Sequence, residues 1–411
     1  MKLLYFHQHF STPKGSTGTR SYEMALRCIK EGHEVVMVCG SYSGGNTGLT
    51  HSFKSGRRSG IVDGIKIIEF NLSYSNNDGF IKRSLLFLLF ALRSIVIALT
   101  YTYDILFATT TPLTAGIPGI FARWIRGKTF VFEVRDLWPE LPKAMGVITN
   151  PIVLKLMAIL EYVLYKSAHR LIGLSPGICT GIASKGISFE KIIQISNGCD
   201  LELFSNESKA WRPSEIKESD LMLIYTGTHG IANGLDSVLN AVKGLNERGI
   251  SGYQIVLIGN GREKKMLMTR VKVEYLENHI VFMDPISKEK LVGLLKASDV
   301  GLQILANVPA FYYGTSPNKF FDYLAVGLPV LTNYPGWVAD LIQTNNCGFS
   351  CEAGDASKFA NQIENILLNR ELLKTMGSNA RALAEKEFSR SLLSSYWLNW
   401  VFFGKEINSN E

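Results

Sequence analysis

Short apolar runs alternate with amphipathic helical segments along this chain of 411 residues. In the first half, the runs that predict strands are residues 2–6, 34–39, 65–70, 105–109, 129–133 and 170–174. Helical periodicity lies between them, for example over residues 21–30 and 151–167. The alternation predicts a largely parallel α/β sheet covered by helices.

A second series of the same kind follows a weakly patterned, polar stretch at residues 203–219. Its predicted strands are 221–225, 254–258, 279–282, 300–304 and 330–331, and its predicted helices are 235–246, 288–296 and 320–325. A chain of this length can bury two cores. We therefore expect two α/β domains, over residues 1–204 and 205–388.

The net charge of +7 belongs to the first half of the chain. Residues 1–190 carry 21 Lys plus Arg against 12 Asp plus Glu, a net charge of +9, and the remainder carries 22 against 24, a net charge of −2. The asymmetry predicts that the first domain faces an anionic partner such as a membrane surface, a lipid diphosphate or nucleic acid. Scattered solubilising charge is the alternative.

One long apolar segment bears on membranes. Between Arg83 and Asp104 the only charged residue is Arg93, near the middle of the segment. Because an Arg at a bilayer centre is unfavourable, we predict a helix that packs on its sheet and offers an apolar face to the membrane interface. The helix at 151–167 is similarly apolar. Plain core packing is the alternative for both helices.

The first glycine loop follows the first predicted strand. Gly15 and Gly18 would let main-chain amides approach a ligand at the start of the next helix, and Arg20 could neutralise its charge. A turn with no ligand is the alternative. The loop is not a G-x-G-x-x-G fingerprint and lacks a suitably spaced acidic residue, which disfavours a nicotinamide dehydrogenase.

Charged residues follow the strand at 129–133. Glu133, Arg135, Asp136 and Glu140 lie within eight residues, where the carboxyl end of a strand would line a ligand crevice. They are candidates for acid, base or hydroxyl-binding roles. Internal salt bridging is the alternative.

Two glycine-rich loops in the second domain also follow strands. Their main-chain amides could hold a phosphate-bearing ligand, with polar side chains nearby. The candidate residues are Gly227, Thr228, His229, Asn233, Gly259 and Arg262. A structural His229 and a solvent-facing Arg262 are the alternatives.

A polar loop before a short apolar helix completes the candidate set. Ser316 and Asn318 belong to this loop, Lys319 adds a cation at the helix start, and Asp322 adds a carboxylate one turn later. A helix start supplies free N–H groups and a positive dipole end, which suit an anion.

Several segments resemble recurrent elements of retaining glycosyltransferases of family four. They are Gly32-His33-Glu34-Val35, Asn197-Gly198-Cys199-Asp200, Gly259-Asn260-Gly261, Ala297-Ser298-Asp299-Val300 and the region from Asp322 through Gly327-x-Pro329-Val330. The resemblance runs over nearly the whole chain. It implies the GT-B fold, with two Rossmann-like domains facing a central cleft, the nucleotide sugar in the second domain and the acceptor in the first. Residues 389–411 resemble the terminal helix that crosses back to the first domain.

The sequence departs from that family at charged positions. Asp322 replaces the second Glu of its E-x7-E region, and Gly314 stands where the first Glu would be. Thr228 and Asn233 correspond to the Arg and Lys that hold the diphosphate. The resemblance therefore leaves Lys319, with the helix-start amides, to neutralise the phosphates, and assigns Asp322 to the ribose hydroxyls.

The variant resembles a bacterial subgroup that builds lipid-linked O-antigen or capsule repeat units, including N-acetyl-L-fucosamine transferases. This implies transfer of a sugar from a UDP-sugar to a polyprenyl-diphosphate saccharide, with Asp136 or Glu140 on the acceptor side. We expect no metal, no further cofactor and no nucleic-acid partner. Because Met1 leads directly into a strand, we expect no signal peptide and a place on the cytoplasmic face of the inner membrane.

Two other functions stay open at this point. A nucleotide-sugar epimerase of the UDP-N-acetylglucosamine 2-epimerase kind shares the architecture and needs no lipid acceptor. A noncatalytic membrane or partner-binding module would not need Lys319.

Overall fold

The computed structural model describes residues 1–15, 18–75, 78–205 and 208–406. The chain divides into two compact units. The first comprises Met1–Ser196, Gly314–Ser316 and Ser391–Glu411, and the second Asn197–Tyr313 and Pro317–Arg390. These divisions at 196/197 and 390/391 compare with the predicted boundaries at 204/205 and 388/389.

The first unit is built on one sheet with helices on both faces. Its strands are β1 (Lys2–Phe6), β2 (Glu34–Tyr42), β3 (Arg57–Val62), β4 (Ile65–Tyr74), β5 (Ile105–Thr109), β6 (Thr129–Val134), β7 (Arg170–Gly173) and β8 (Ile192–Gln194). Its helices are α1 (Arg20–Lys30), α2 (Phe80–Thr100), α3 (Ile117–Arg126), α4 (Glu140–Ala144), α5 (Pro151–Ser167) and α6 (Pro176–Ser184).

The strand order of this sheet is β3-β4-β2-β1-β5-β6-β7-β8. All neighbouring strands pair in parallel except β3, which pairs with β4 in the antiparallel sense. The central strands β1 and β5 are buried on both faces, which explains their continuous apolar sequences. The order from β4 through β7 is that of a doubly wound sheet, and the strands of such a sheet present their carboxyl ends to a ligand.

The second unit repeats this architecture. Its strands are β9 (Leu221–Thr226), β10 (Tyr253–Ile258), β11 (Ile280–Met283), β12 (Val300–Gln303), β13 (Val330–Thr332) and β14 (Gly348–Ser350). Its helices are α7 (Leu201–Ser205), α8 (Asp236–Glu247), α9 (Lys264–Val273), α10 (Lys288–Lys296), α11 (Ala310–Gly314), α12 (Asn318–Val326), α13 (Trp337–Thr344), α14 (Ala356–Leu368) and α15 (Glu371–Glu387). The strand order is β11-β10-β9-β12-β13-β14, and all pairs are parallel.

The last helix, α16 (Arg390–Phe403), packs on the sheet of the first unit. The ring of Trp397 is fully buried, stacks on Tyr5 at 6.0 Å and meets Phe107 edge-on at 4.8 Å. The indole N–H of Trp400 donates to the carbonyl oxygen of Leu171 at 3.2 Å. The aromatic side chains of the tail therefore complete the core of this unit.

Candidate functional site

Lys319 is a half-buried cation beside the first loop of the second unit. Its Nζ lies 4.5 Å from the centre of the Tyr225 ring and 3.4 Å from the Tyr225 hydroxyl oxygen. In the part of the chain that the structure describes, no carboxylate forms an ion pair with it. Burial lowers the pKa of Lys319 to about 8. A desolvated ammonium with no anionic partner is suited to receive an anion.

Helix α12 is fixed in place at the point where the strand order of the second sheet reverses. The hydroxyl of Tyr323, one turn after Lys319, accepts from the Thr226 N–H at 3.1 Å and lies 3.3 Å from the Leu302 carbonyl oxygen. It thereby bridges β9 and β12, on either side of the reversal. A side chain at Gly301 would collide with the Tyr323 ring. The topology therefore places Lys319 at the switch point, where doubly wound sheets bind ligands.

Tyr225 connects the predicted residues of the first loop with Lys319. It is the penultimate residue of the buried strand β9, and its hydroxyl donates to the Thr228 carbonyl oxygen at 2.9 Å. The same hydroxyl is hydrogen bonded to the Asn233 side chain. The sequence analysis did not single out Tyr225. The feature that could have identified it is a tyrosine near the end of an apolar strand, just before a glycine loop.

The two glycine loops pack backbone against backbone. A Cβ at Gly259, where φ is +149°, would lie 1.8 Å from the Gly227 carbonyl oxygen. The N–H groups of Gly227 and His229 donate to Ile258 and Asn260 carbonyl oxygens, each at 3.0 Å. This corrects the expectation that all amides from 227 to 230 face a phosphate.

Two amides of that loop and two at the start of α12 keep their capacity for a ligand. Thr228 and Gly230 donate their N–H groups to no backbone acceptor among the described residues. Helix α12 begins without a side-chain cap. The N–H groups of Asn318 and Lys319 at its start also donate to no backbone acceptor among the described residues. Thr228 and Asn318 are both exposed. These amides, with the Lys319 ammonium, form a group of donors suited to an anion.

The ring of His229 is buried rather than presented to a ligand. It is fully inaccessible, with the rings of Tyr225 and Phe282 each 6.0 Å away. Burial, then the positive charges of Lys264 and Lys319, lower the pKa of His229 to about 4, so the ring is neutral at pH 7. Neither ring nitrogen has a hydrogen-bond partner among the described residues. This corrects the expectation of a donor-contacting side chain at His229.

Asp322 forms an ion pair. Its Oδ2 accepts from Nζ of Lys288 at 2.5 Å, and the residue is 8% exposed. The negative charge of Asp322 is therefore already balanced by Lys288. Of the other predicted residues, Arg262 is exposed, and Ser316 lies in the segment that belongs to the first unit.

Arg20 has a structural role in the first unit. Its Nε and Nη2 donate to Oε2 of Glu133 at 3.0 and 2.8 Å, and its other contacts are the carbonyl oxygens of Ile195 and Ser196. Arg20 is 7% and Glu133 0% exposed. This corrects the expectation that Arg20 neutralises a ligand, because its donors are already satisfied by a buried carboxylate and by backbone.

Asp136 is the more promising carboxylate at this edge of the sheet. It follows β6, is half-buried, and its Oδ2 accepts from the Thr111 hydroxyl at 3.3 Å. Burial raises the pKa of Asp136, and the Thr111 hydrogen bond and the charge of Arg135 offset only part of that rise. Arg135 itself is bound to Glu133 at 3.2 Å. A carboxyl group of raised pKa is suited to proton transfer.

The remaining predicted residues of the first unit are Glu140, Gly15 and Gly18. Glu140 is exposed and pairs with Lys185 at 3.1 Å. A Cβ at Gly15 would lie 2.1 Å from the Ser11 hydroxyl oxygen, so this glycine allows close packing of its loop. Gly18 is exposed, and residues 16–17 between them lie outside the described residues.

An open cavity of about 330 Å³ lies at the carboxyl ends of β2 and β4. It is lined by aromatic and polar side chains, namely Phe10, Ser41, Tyr42, Asn46, Thr47, Leu49, Phe53, Arg58, Glu69, Asn71 and Ser73, with Gly40 and Gly45. Arg58 binds Glu69 through Nε at 2.8 Å and lies over the Phe53 ring at 4.5 Å. Sequence reasoning missed this cavity because β3, which carries Arg58, was not predicted.

Within residues 1–15, 18–75, 78–205 and 208–406, no three His, Cys, Asp or Glu side chains are grouped to hold a metal ion. One helix in this part of the chain, α2, is long and apolar enough to cross a membrane by length and composition.

Two family models match the chain, one in each unit. Residues 15–198 match the "Glycosyl transferase 4-like domain", and residues 207–383 match "Glycosyl transferases group 1". These matches correspond to the resemblance found in the sequence and cover most of its length.

Relatives and solved structures point the same way. The chain is 25% identical to N-acetyl-alpha-D-glucosaminyl L-malate synthase of Bacillus anthracis over 44% of its own length and 45% of that protein. It is 23% identical to the capsular polysaccharide biosynthesis glycosyltransferase CapM of Staphylococcus aureus, over 68% and 72%. The structure of Anabaena Alr3699/HepE in complex with UDP superposes with a TM-score of 0.64 at 16% identity, over 97% and 99%. The predicted fold class is confirmed. The chain is a glycosyltransferase of the GT-B fold, in which a glycosyl transferase 4-like domain is followed by a glycosyl transferases group 1 domain.

Proposed function

We propose that the protein transfers a sugar from a UDP-sugar to a polyprenyl-diphosphate-linked saccharide during synthesis of a bacterial surface polysaccharide. The donor sugar in this proposal is an N-acetylhexosamine, such as N-acetyl-L-fucosamine, and the anomeric configuration is retained. The observation that carries the proposal is Lys319, a desolvated cation without an ion-pair partner among the described residues, at the switch point of the second sheet.

The chemistry explains why such a cation matters. Transfer breaks the bond between the anomeric carbon and the β-phosphate oxygen and forms a bond from that carbon to an acceptor oxygen. The departing UDP takes the bonding electrons, so negative charge grows on its β-phosphate. The Lys319 ammonium and the amides of Thr228, Gly230 and Asn318 would stabilise this charge.

On the acceptor side, the proposal makes Asp136 the base that takes the proton from the acceptor hydroxyl group. Its raised pKa and its position after β6 support this role, while Glu140 is an exposed partner of Lys185. We propose the cavity at β2 and β4 as a subsite for the acceptor saccharide, because aromatic faces beside amide and hydroxyl groups suit sugar rings.

The comparisons support the substrate classes of this proposal. CapM is named for capsular polysaccharide biosynthesis, and HepE was solved with UDP. Both matching family models are glycosyltransferase models, which favours transfer over epimerisation. In this proposal the enzyme acts at the cytoplasmic face of the inner membrane, where its lipid acceptor is held, and needs no metal for departure of UDP.

The test is a transfer assay with a panel of UDP-sugars and a polyprenyl-diphosphate N-acetylglucosamine acceptor, with both products measured by mass spectrometry. We expect release of UDP matched by the gain of one sugar on the acceptor lipid. Lys319→Met should abolish transfer. Lys265→Met, which alters an exposed cation on α9 of the same unit, serves as the control that keeps it.

Incubation without acceptor separates the rival functions. An epimerised UDP-sugar in that reaction would replace the transferase proposal by the epimerase. Wild-type function of the Lys319→Met variant in the host pathway would favour a noncatalytic module.

A further inference from the structure

Three helices of the first unit expose large apolar side chains on the side away from the sheet. On α2, seven such side chains are between 42% and 75% exposed, namely Phe80, Ile81, Leu85, Leu88, Leu89, Leu92 and Val96. On α5, the exposed fractions run from 37% to 69%, for Ile152, Leu156, Ile159, Tyr162 and Val163. On α3, Trp124 and Ile125 are 66% and 64% exposed.

These side chains belong to one layer, because α3 packs against both α2 and α5. The opposite sides of the helices face the sheet, with α2 packing on β4 and α3 and α5 on β6. Single exposed apolar residues are ordinary on soluble proteins, but a set carried by three adjacent helices marks an interaction surface. We call this set the α2–α3–α5 face.

The charges of the α2–α3–α5 face have one sign. Its three helices carry the cations Lys82, Arg83, Arg93, Arg123, Arg126, Lys155 and Lys166. Their one carboxylate, Glu161, is fully buried and bound to Tyr165 and Lys185. Lys82 is paired with Asp78, which precedes α2, at 2.7 Å. An apolar surface that is bordered mostly by cations, on helices without an exposed carboxylate, complements anionic lipid headgroups.

Cations of this face lie beside its exposed aromatic rings. The Arg123 guanidinium lies 5.4 Å from the centre of the Trp124 ring, and Nζ of Lys166 lies 5.6 Å from that of Tyr162. Trp and Tyr favour the boundary between headgroups and acyl chains, while Arg and Lys keep their charged ends in the headgroup layer. The pairs therefore have the chemistry of an interfacial segment.

The second half of α2, from Phe90 onward, is packed into its own domain, which argues that the helix lies in the interface and does not cross a bilayer. Phe90 is fully buried and meets Phe70 edge-on at 6.0 Å. Arg93 lies 5.7 Å from the centre of the Phe70 ring and donates to the Gly56 carbonyl oxygen at 3.3 Å. Insertion across a bilayer would remove these contacts and expose the sheet.

We propose that the α2–α3–α5 face is a monotopic docking surface that buries its apolar side chains in the interfacial layer of an anionic bilayer. A second copy of this chain is the less suitable occupant, because two copies of one cationic face repel each other. The inference rests on the proposed function in one respect: a polyprenyl-diphosphate acceptor is reached at a membrane surface. It adds which helices make the contact and in which orientation.

Vesicle flotation tests the docking surface. Wild-type protein should float with vesicles of phosphatidylcholine plus phosphatidylglycerol, and less with phosphatidylcholine alone. The variant Leu88→Gln/Ile125→Gln/Leu156→Gln removes one exposed apolar side chain from each helix and should bind anionic vesicles at least about tenfold more weakly. The control Val273→Gln/Leu368→Gln alters two apolar residues of the second unit that are even more exposed, and it should float like wild type.

Two further readouts separate failure of the docking surface from failure of the proposed function. Thermal stabilisation by UDP should be unchanged in the triple variant, which shows that it is folded. Transfer to a short-chain, water-soluble acceptor analogue should also be unchanged, whereas transfer to a vesicle-embedded acceptor should fall. Trp124 supplies a fluorescence signal that should shift to the blue on vesicle binding.

Three results would overturn the proposal: wild-type protein that does not float with anionic vesicles, a folded triple variant that floats as wild type does, or concentration-dependent dimerisation through this face without flotation. Failure of the wild-type protein to transfer a sugar to the soluble analogue would instead count against the proposed function.

Discussion

Replacing Lys319 by Met should stabilise the unliganded protein. The Nζ of Lys319 lies against the Tyr225 ring and has no ion-pair partner among the described residues, and burial lowers its pKa from 10.5 to about 8. At about 1.4 kcal/mol per pKa unit, keeping this charge at neutral pH costs roughly 3 kcal/mol. The cation–π contact returns about 0.5–2 kcal/mol. We therefore expect Lys319→Met to raise the free energy of unfolding by about 1–2.5 kcal/mol.

The pH dependence has a definite sign. The pKa of Lys319 is lower in the folded protein than in the unfolded chain, so the unfolded chain binds the additional proton between about pH 8 and 10.5. Wild-type stability therefore rises through this window, and the advantage of Lys319→Met is largest below pH 8 and shrinks towards pH 10.5. Urea unfolding of both proteins at about pH 7 and about pH 10 measures the difference.

Lys264 provides the control, because its ammonium is satisfied. Its Nζ donates to the carbonyl oxygens of Gly259 and Met283 at 2.9 and 3.0 Å and to Asp284 at 2.7 Å. Lys264→Met should destabilise by about 1–3 kcal/mol. A destabilised Lys319→Met at pH 7 would refute the reasoning, since it would show that the cation serves the fold and not a ligand.

Three further predictions concern both units. Asp136→Asn should lower transfer by about 10²–10⁴-fold. It should also remove the acid limb of the pH–rate profile, which the raised pKa of the buried Asp136 shifts to higher pH; an unchanged profile would exclude Asp136 as the base. Arg20→Met should destabilise the protein by about 3–5 kcal/mol, because it leaves Glu133 charged and buried without its main partner. Denaturant unfolding measures this loss, and a variant that keeps full stability but loses ligand binding would contradict the structural role. Gly259→Ala should prevent native packing of its loop. Gly249→Ala, also at positive φ but with no atom near the added Cβ, should lower the free energy of unfolding by only about 1 kcal/mol. Equal thermal shifts for the two variants would count against the packing account.

The sequence pattern predicted the central strands well because they are continuous apolar runs buried on both faces. Strands β1 and β5 have the predicted bounds, as does helix α5. The edge strand β3 was missed because Arg57–Val62 alternates exposed and half-buried residues, and only its pairing with β4 makes it a strand. Local pattern does not encode such a pairing.

The candidate site was predicted in part. The choice of Lys319 used the cation itself and the start of the helix that follows it, both of which are local features. The partners of each charge are not local: Arg20 meets Glu133, 113 residues away, and Lys319 meets Tyr225, 94 residues away. Burial decided the remaining cases, because a glycine-flanked His229 gives no local sign that the neighbouring loop covers its ring.

The central claim is that Lys319 holds the diphosphate of the donor. Titration calorimetry of UDP and of uridine against wild type and Lys319→Met tests it directly, because the difference between the two ligands isolates the phosphates. We expect wild type to bind UDP much more tightly than uridine, and Lys319→Met to lose about 1.5–3 kcal/mol of that difference while its affinity for uridine stays the same. An undiminished preference for UDP in Lys319→Met would contradict the account.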